Sequence, residues 1–262
     1  MILTNDNYYS LEANQEYMSV SQFKAFCKCE AAALAEVRGE YKRPVTTAML
    51  IGSYVDAWAE GTLSMLNFED DHPELFTKRG ELRREFFHAN KMMNRIQRDP
   101  LFMEYLQGDK QAIFTGELFG AKWKAKLDVY KKGDRIVDLK TSRSLQRVMG
   151  KSLVENFEYD KQGAVYQFLE GNGLPFFLAI VTKEEEPDIE IVEIEQPELN
   201  EAMRDIERKM PRIIAVKNGE AEPMRCGVCE YCRKTKKLTS PISSLELGFS
   251  NYELMAMKGA EY

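Results

Sequence analysis

The sequence is poor in the residues that most often announce a function. Its 262 residues include only five cysteines, two histidines and two tryptophans. It has no apolar run near the roughly 20 residues that cross a membrane, and no basic region followed by an apolar stretch at its start, as a secretory leader would have. The expected compartment is therefore the cytoplasm, without membrane attachment. Internal repeats and low-complexity segments are missing too. So is net positive charge: 36 Lys and Arg face 42 Asp and Glu, a formal charge of −6. That balance excludes a histone-like or wholly basic nucleic-acid coat, but not an enzyme with a local basic surface. A chain of this length can bury its core without disulfide staples. Its 44% hydrophobic and 11% aromatic content excludes wholesale disorder.

Periodicity supplies the elements. Ser19 and Gln22 have capping-box spacing and open a helix from Gln22 to Val37. A second helix fits Thr47 to Gly61, and one or two more fit Leu82 to Leu106. From Glu117 to Tyr130 the pattern becomes strand-like, with Trp123, Ala125, Leu127 and Val129 alternating with polar residues. Lys132-Gly133-Asp134 is turn chemistry, and Arg135 to Thr141 is the returning strand. Val154 to Gly171 reads as a helix, Phe176 to Val181 as a buried strand, Ile189 to Ile194 as another strand and Pro197 to Val216 as a helix. Helices lead, a hairpin follows, then helix and strand alternate, which is the order of an α/β layer fold. Residues 1–240 read as one domain and 241–262 as a peripheral tail. His72 and His88 stand alone and read as surface residues.

The hairpin carries the chemistry. Asp138 and Lys140 share a strand face because the side-chain period is two. With a three-residue turn at 132–134, Asp128 lies directly opposite Asp138; a two-residue turn would separate them, so the arrangement needs an odd loop or a bulge. Carboxylates facing each other across a sheet repel. A divalent cation such as Mg²⁺ would remove that repulsion, and Lys140 would point to the same spot. The bland alternative is a solvated hairpin face. Local charge weighs against it: Lys122 to Lys151 hold ten Lys and Arg against Asp128, Asp134 and Asp138. Acids set in a basic zone suit metal-assisted work on a polyanion. The segment from Glu184 to Glu207 is the opposite, with eleven acids and one base.

Cys226, Cys229 and Cys232 place three thiols at short spacing in segment 226–232. In a reducing compartment such a group binds metal more often than it forms disulfides. A fourth thiol can come only from Cys27 or Cys29.

At these residues the sequence resembles the PD-(D/E)xK nuclease superfamily. Asp128 followed by Asp138-Leu139-Lys140-Thr141 looks like its signature, and four further segments resemble the RecB-like branch. These are Ser19-Val20-Ser21 with Phe26 and Cys29; Gly52-Ser53-Tyr54-Val55-Asp56; Glu117 before the first strand; and Gln162-Gly163-Ala164-Val165-Tyr166. The nearest group is the phage and prophage RecE-type exonucleases, and the match covers about residues 19 to 233. Asp56 stands where most relatives have His, and Glu30 where they commonly have Pro.

The resemblance implies a restriction-endonuclease-like core, a mixed β-sheet flanked by helices, with a helical N-terminal region. It implies hydrolysis of linear duplex DNA with Mg²⁺ or Mn²⁺ held by Asp128 and Asp138, helped by Asp56 and Glu117, and Lys140 as the catalytic lysine. Gln162 would face substrate or that lysine. Lys124, Lys126, Thr141, Ser142, Arg143 and Tyr166 would face DNA. One distant cysteine with three C-terminal ones resembles the iron-sulfur nucleases of this branch, which implies a [4Fe-4S] cluster on Cys29, Cys226, Cys229 and Cys232; four thiolates would equally suit Zn²⁺. Implied partners are a single-strand annealing protein and further copies of the chain, in a bacterial cell carrying a phage or prophage. A non-catalytic DNA-binding module with a structural metal is the rival reading.

Overall fold

A computed structural model describes residues 1–257. They gather into two compact units: one combines residues 1–43, 117–123 and those from 207 onward, the other residues 44–116 and 124–206.

The first unit begins with α1 (Leu11–Glu16), α2 (Val20–Lys28) and α3 (Glu30–Val37). Ser19 caps α2 by accepting from the Gln22 N–H, as its spacing predicts. The single helix expected up to Val37 is two, because Cys29 adopts an extended backbone (φ −165°, ψ 103°) between them. Glu30 then occupies the first position of α3. A proline is at home there, and a carboxylate favours the helix dipole, so replacing Cys-Pro by Cys-Glu leaves the break intact. Glu30 is 1% exposed. It accepts from Arg212 through both oxygens, at 2.9 and 2.8 Å, and from the Met224 N–H at 2.7 Å.

The second unit opens with α4 (Thr47–Glu60), α5 (Thr62–Asp71), α6 (Phe87–Gln97) and α7 (Pro100–Tyr105). His72 and His88 are half-buried here; His72 Nδ1 meets Glu74 at 2.9 Å. Next come β1 (Asp109–Leu118), β2 (Ala121–Lys131), β3 (Arg135–Ser142), α8 (Leu153–Phe157), α9 (Tyr159–Glu170), β4 (Phe176–Thr182), β5 (Ile189–Glu193) and α10 (Gln196–Lys217). The strands form one mixed sheet in the order β1-β2-β3-β4-β5. β2 and β3 are antiparallel, β3 and β4 parallel, β4 and β5 antiparallel. Parallel neighbours need a crossover, which α8 and α9 supply. This is the expected α/β class: a mixed sheet flanked by helices.

Each face of the sheet packs on helices. Val137, Leu139, Ala179 and Val181 meet Val55, Met92, Ile96 and Phe102 on one face. This gives the segment 69–106, read in the sequence only as helix from Leu82 onward, a core-building role. Ile136, Leu178 and Ile180 meet Ala164 and Leu199 on the other. β1 escapes the sequence pattern because it is an edge strand whose residues are mostly half-buried, so no alternation shows.

After α10 the first unit closes with α11 (Glu230–Lys234) and α12 (Asn251–Met257). The tail is not wholly peripheral. Asn251 donates its backbone N–H to the Cys226 carbonyl at 2.8 Å and its side chain to the Arg225 carbonyl at 2.8 Å. Residues 258–262 of the expected tail lie outside the described residues.

Candidate active site

The turn between β2 and β3 has three residues, and pairing runs Lys131↔Arg135, Tyr130↔Ile136, Val129↔Val137. One residue beyond the last pair stand Asp128 and Asp138. There the ladder gives way: the Leu139 N–H donates to Asp128 Oδ2 at 3.0 Å. Leu127 packs on one face of the sheet and Val129 on the other. A strand that changes face in two residues is locally irregular, as at a bulge, and such irregularities re-aim side chains. Here the irregularity falls at Asp128.

α4 brings a third carboxylate. A Cβ on Gly52 would sit 3.0 Å from Thr141 Oγ1, so glycine lets α4 lie close to β3. One turn further, Asp56 is half-buried, and its Oδ1 is shut off from water with no hydrogen-bond partner among the described residues. Burial pushes the Asp56 carboxyl up; Lys140 opposes this, Asp138 and Glu60 add to it, and the outcome is about 7. Burial likewise holds Asp128 well above the usual carboxylate range, with Asp138 adding to the rise. Lys140 forms an ion pair with Asp138. Burial alone would depress the ammonium, but Asp138 and Asp128 outweigh it and hold the pKa above its ordinary value.

On α9, Gln162 and Tyr166 do share a face. Gln162 Nε2 donates to Asp138 Oδ1 at 2.6 Å and to the Tyr166 hydroxyl at 3.0 Å. The amide thus holds a carboxylate rather than the lysine. Tyr159 places its ring 5.4 Å from Lys140 Nζ.

Several expected residues fall elsewhere. Glu117 is exposed near the end of β1 and belongs to the first unit. Lys124 is 2% exposed, and burial lowers its pKa to about 8. It does not offer a charge to DNA at a surface. Ser142 is also buried and donates to the Ser144 carbonyl at 2.9 Å. Thr141 and Arg143 line a cavity of about 740 Å³ with Asp56, Arg147 and Lys183. Lys126 is half-buried, and Glu60 and Asp128 both act on its charge. The sequence reading missed Glu60 and Lys110. Glu60 follows Asp56 by four residues, so helical spacing alone puts both on one face. Lys110 sits on the unrecognised β1.

In the first unit, Cys29, Cys226, Cys229 and Cys232 gather with all four sulfurs within 4.8 Å of one another. Cys29 and Cys232 lie 3.6 Å apart, Cys226 and Cys232 3.9 Å. Backbone N–H groups of Cys226, Cys229 and Cys232 donate to the sulfurs of Cys29, Cys226 and Cys229 at 3.5, 3.3 and 3.4 Å. Burial pushes the Cys29 thiol up to about 12. This four-cysteine group is a candidate metal centre. Cys27 is half-buried and outside it.

A mixed sheet that converges an Asp-x-Lys strand, an opposed Asp and a helix carboxylate defines the PD-(D/E)xK class of domain. Residues 19–235 match the family described as a PDDEXK-like domain of unknown function, DUF3799, and the chain belongs to it. The crystal structure of "Putative exonuclease" from Eubacterium rectale is similar over 95% of this chain and 98% of its own, at 46% identity and a TM-score of 0.90. A second solved structure, SSO0001, covers 85% of this chain and 96% of its own at 16% identity, and its TM-score of 0.37 is too low to bear on the argument. No curated protein is similar enough to count as a relative.

Proposed function

We propose that this protein is a divalent-metal-dependent exonuclease acting on linear duplex DNA. The observation that carries the reading is the convergence of Asp56, Asp128 and Asp138 on Lys140, with one buried Asp56 oxygen lacking any hydrogen-bond partner among the described residues. One buried and two half-buried carboxylates stand beside a single ammonium, and oxygen-rich sites of this kind suit Mg²⁺ or Mn²⁺. Asp56, Asp128 and Asp138 would hold the ion. Carboxylate replaces the family's usual histidine at position 56 without loss of a ligand atom. When bound, the ion supplies a hydrolytic water at neutral pH and offsets phosphate charge.

The chain's own groups do the rest. Gln162 keeps Asp138 oriented and is a positioning residue. Lys140, held protonated by its carboxylate neighbours, donates hydrogen bonds to the phosphate oxygens as charge builds on them. Arg143, Arg147 and Lys183 line the adjoining cavity and neutralise flanking phosphates. The Eubacterium rectale structure, described as a "Putative exonuclease", supports this reading over the rival binding module. The family resemblance extends it to phage-type recombination in the bacterial cytoplasm, an annealing protein as partner and self-association.

The test is incubation of the protein with linear duplex DNA and Mg²⁺. Wild type should release nucleotides, and Asp138→Ala and Lys140→Ala should each slow release by about a hundredfold or more. DNA binding without metal-dependent turnover would favour the module instead.

For the thiolate centre we propose one Zn²⁺ ion. An ion about 2.3 Å from four tetrahedral sulfurs sets them about 3.8 Å apart, and the observed separations of 3.6 and 3.9 Å agree. A four-iron cube has its irons at separate corners and spreads its thiolates wider, so a group of sulfurs all within 4.8 Å of one another supports zinc over the [4Fe-4S] cluster that the resemblance implies. Elemental analysis of anaerobically purified protein should give one zinc per chain and no absorption band near 400 nm, and Cys29→Ser should lose the metal. Stoichiometric iron with that band would overturn the zinc assignment.

A further inference from the structure

Between β3 and α8 the chain makes a very small hairpin. Val148 and Lys151 exchange backbone hydrogen bonds of 3.0 and 3.1 Å, and the two residues between them, Met149 and Gly150, have φ of 52° and 80°. A two-residue hairpin with both φ values positive favours Asn-Gly or Asp-Gly. This chain places methionine at the first position, where an unbranched but bulky side chain is rare and strained. Packing does not explain the choice, since Met149 is 97% exposed and Val148 60%. A strained position holding an apolar side chain in water is a mark of function rather than of folding.

The surroundings are cationic. Arg147 and Lys151 flank the turn in sequence, with Arg147 Nη1 donating to the Gly150 carbonyl at 2.9 Å, and Arg143, Arg147 and Val148 line the cavity that also holds Asp56 and Thr141. Phe157 lines the same cavity and is 55% exposed. Its ring stacks on Tyr159, with centroids 5.6 Å apart and planes at 16°. Tyr159 in turn faces Lys140. A run of rings thus leads from the lysine to the cavity, and the left-handed Glu158 (φ 52°, ψ 48°) between α8 and α9 is what aligns them. Apolar tips beside cations unstack base steps, and exposed rings accept bases of any sequence.

We propose that the 148–151 hairpin is a wedge for the end of duplex DNA. Met149 presses against the terminal base pair, and Phe157, backed by Tyr159, stacks on the base freed from the strand that enters the carboxylate centre. This inference rests on the nuclease reading above.

The test compares two duplexes, one blunt and one with two mismatched terminal pairs, each with 2-aminopurine in the last position of the cut strand. Met149→Asn is the informative variant, because asparagine suits the left-handed position and leaves the turn intact. Wild type should raise 2-aminopurine fluorescence on binding the blunt end in EDTA; Met149→Asn should not. In Mg²⁺, Met149→Asn and Phe157→Leu should each cut the blunt duplex about tenfold more slowly and stay within about twofold of wild type on the frayed one. Equal rates on the blunt duplex for variant and wild type, or equal losses on both substrates, would overturn the wedge. If wild type cuts neither duplex, the nuclease reading fails first.

Discussion

Burial makes Asp56 a group poised near neutrality, and this has a measurable consequence. Its pKa of about 7 in the folded chain stands above the ordinary 3.8. The folded state therefore keeps a proton that the unfolded chain releases. The stability this contributes is whole below about pH 3.8 and is lost as pH rises through about 7. In EDTA, the melting temperature should fall between pH 5 and pH 8. Asp56→Asn should flatten that fall and raise the pH 8 midpoint by about 5 °C. Millimolar Mg²⁺ should stabilise wild type more at pH 8 than at pH 5, since protons and metal compete for the same oxygens. Calorimetry at the two pH values decides it: an unchanged slope in Asp56→Asn would place the titrating groups elsewhere. At this scale the sequence was legible where spacing implies a shared face. Asp138, Lys140, Gln162 and Tyr166 all fall where strand and helix periods put them. It was illegible where burial decides. Lys124 alternates with apolar residues like a surface lysine, yet helices cover both faces of the sheet, so alternation no longer separates water from core.

Elements show the same division. A helix is easy to read as continuous and hard to read as broken, because a break needs only one residue out of register. Cys29 and Glu158 each supply that residue without glycine or proline to announce it. Gly163 carries the opposite signal. It lies inside α9, where glycine usually weakens a helix, but a Cβ there would run into Phe176 Cδ1 and sit 2.8 Å from Leu199 Cδ2. Glycine sets how closely α9 lies on β4, and so where Gln162 meets Asp138. Gly163→Ala should lower stability by about 1–3 kcal/mol despite better helix propensity. A fall in the urea midpoint at constant slope would register it. A neutral result would mean that the helix can shift outward; Gln162 would then lose its grip on Asp138, and turnover should fall.

For the molecule as a whole, a formal charge of −6 hides a segregated distribution. The basic zone at 122–151 contains the carboxylates, while the strip at 184–207 is strongly acidic. Affinity for duplex DNA should therefore fall steeply with salt despite the acidic total. Replacing Arg143 and Arg147 by Gln should make the slope of log affinity against log salt shallower by about 1–2, measured by anisotropy across a salt series. An unchanged slope would remove these arginines from the phosphate path. The fold class and the order of motifs were readable over most of the chain. The assembly of two compact units from interleaved segments was not, because contacts between distant residues leave no local pattern.

That interleaving sets an order of events during synthesis. The segments of the second unit have all been made once residue 206 is added, whereas the first unit must wait for residues 207–257, and its four thiols cannot meet until Cys232 follows Cys29 by some two hundred residues. On a ribosome reading from the N-terminus, α1 to α3 therefore wait unpaired with their C-terminal partners while the hydrolytic centre is already complete in sequence. The four-cysteine group, by the same logic, is completed only near the end of synthesis.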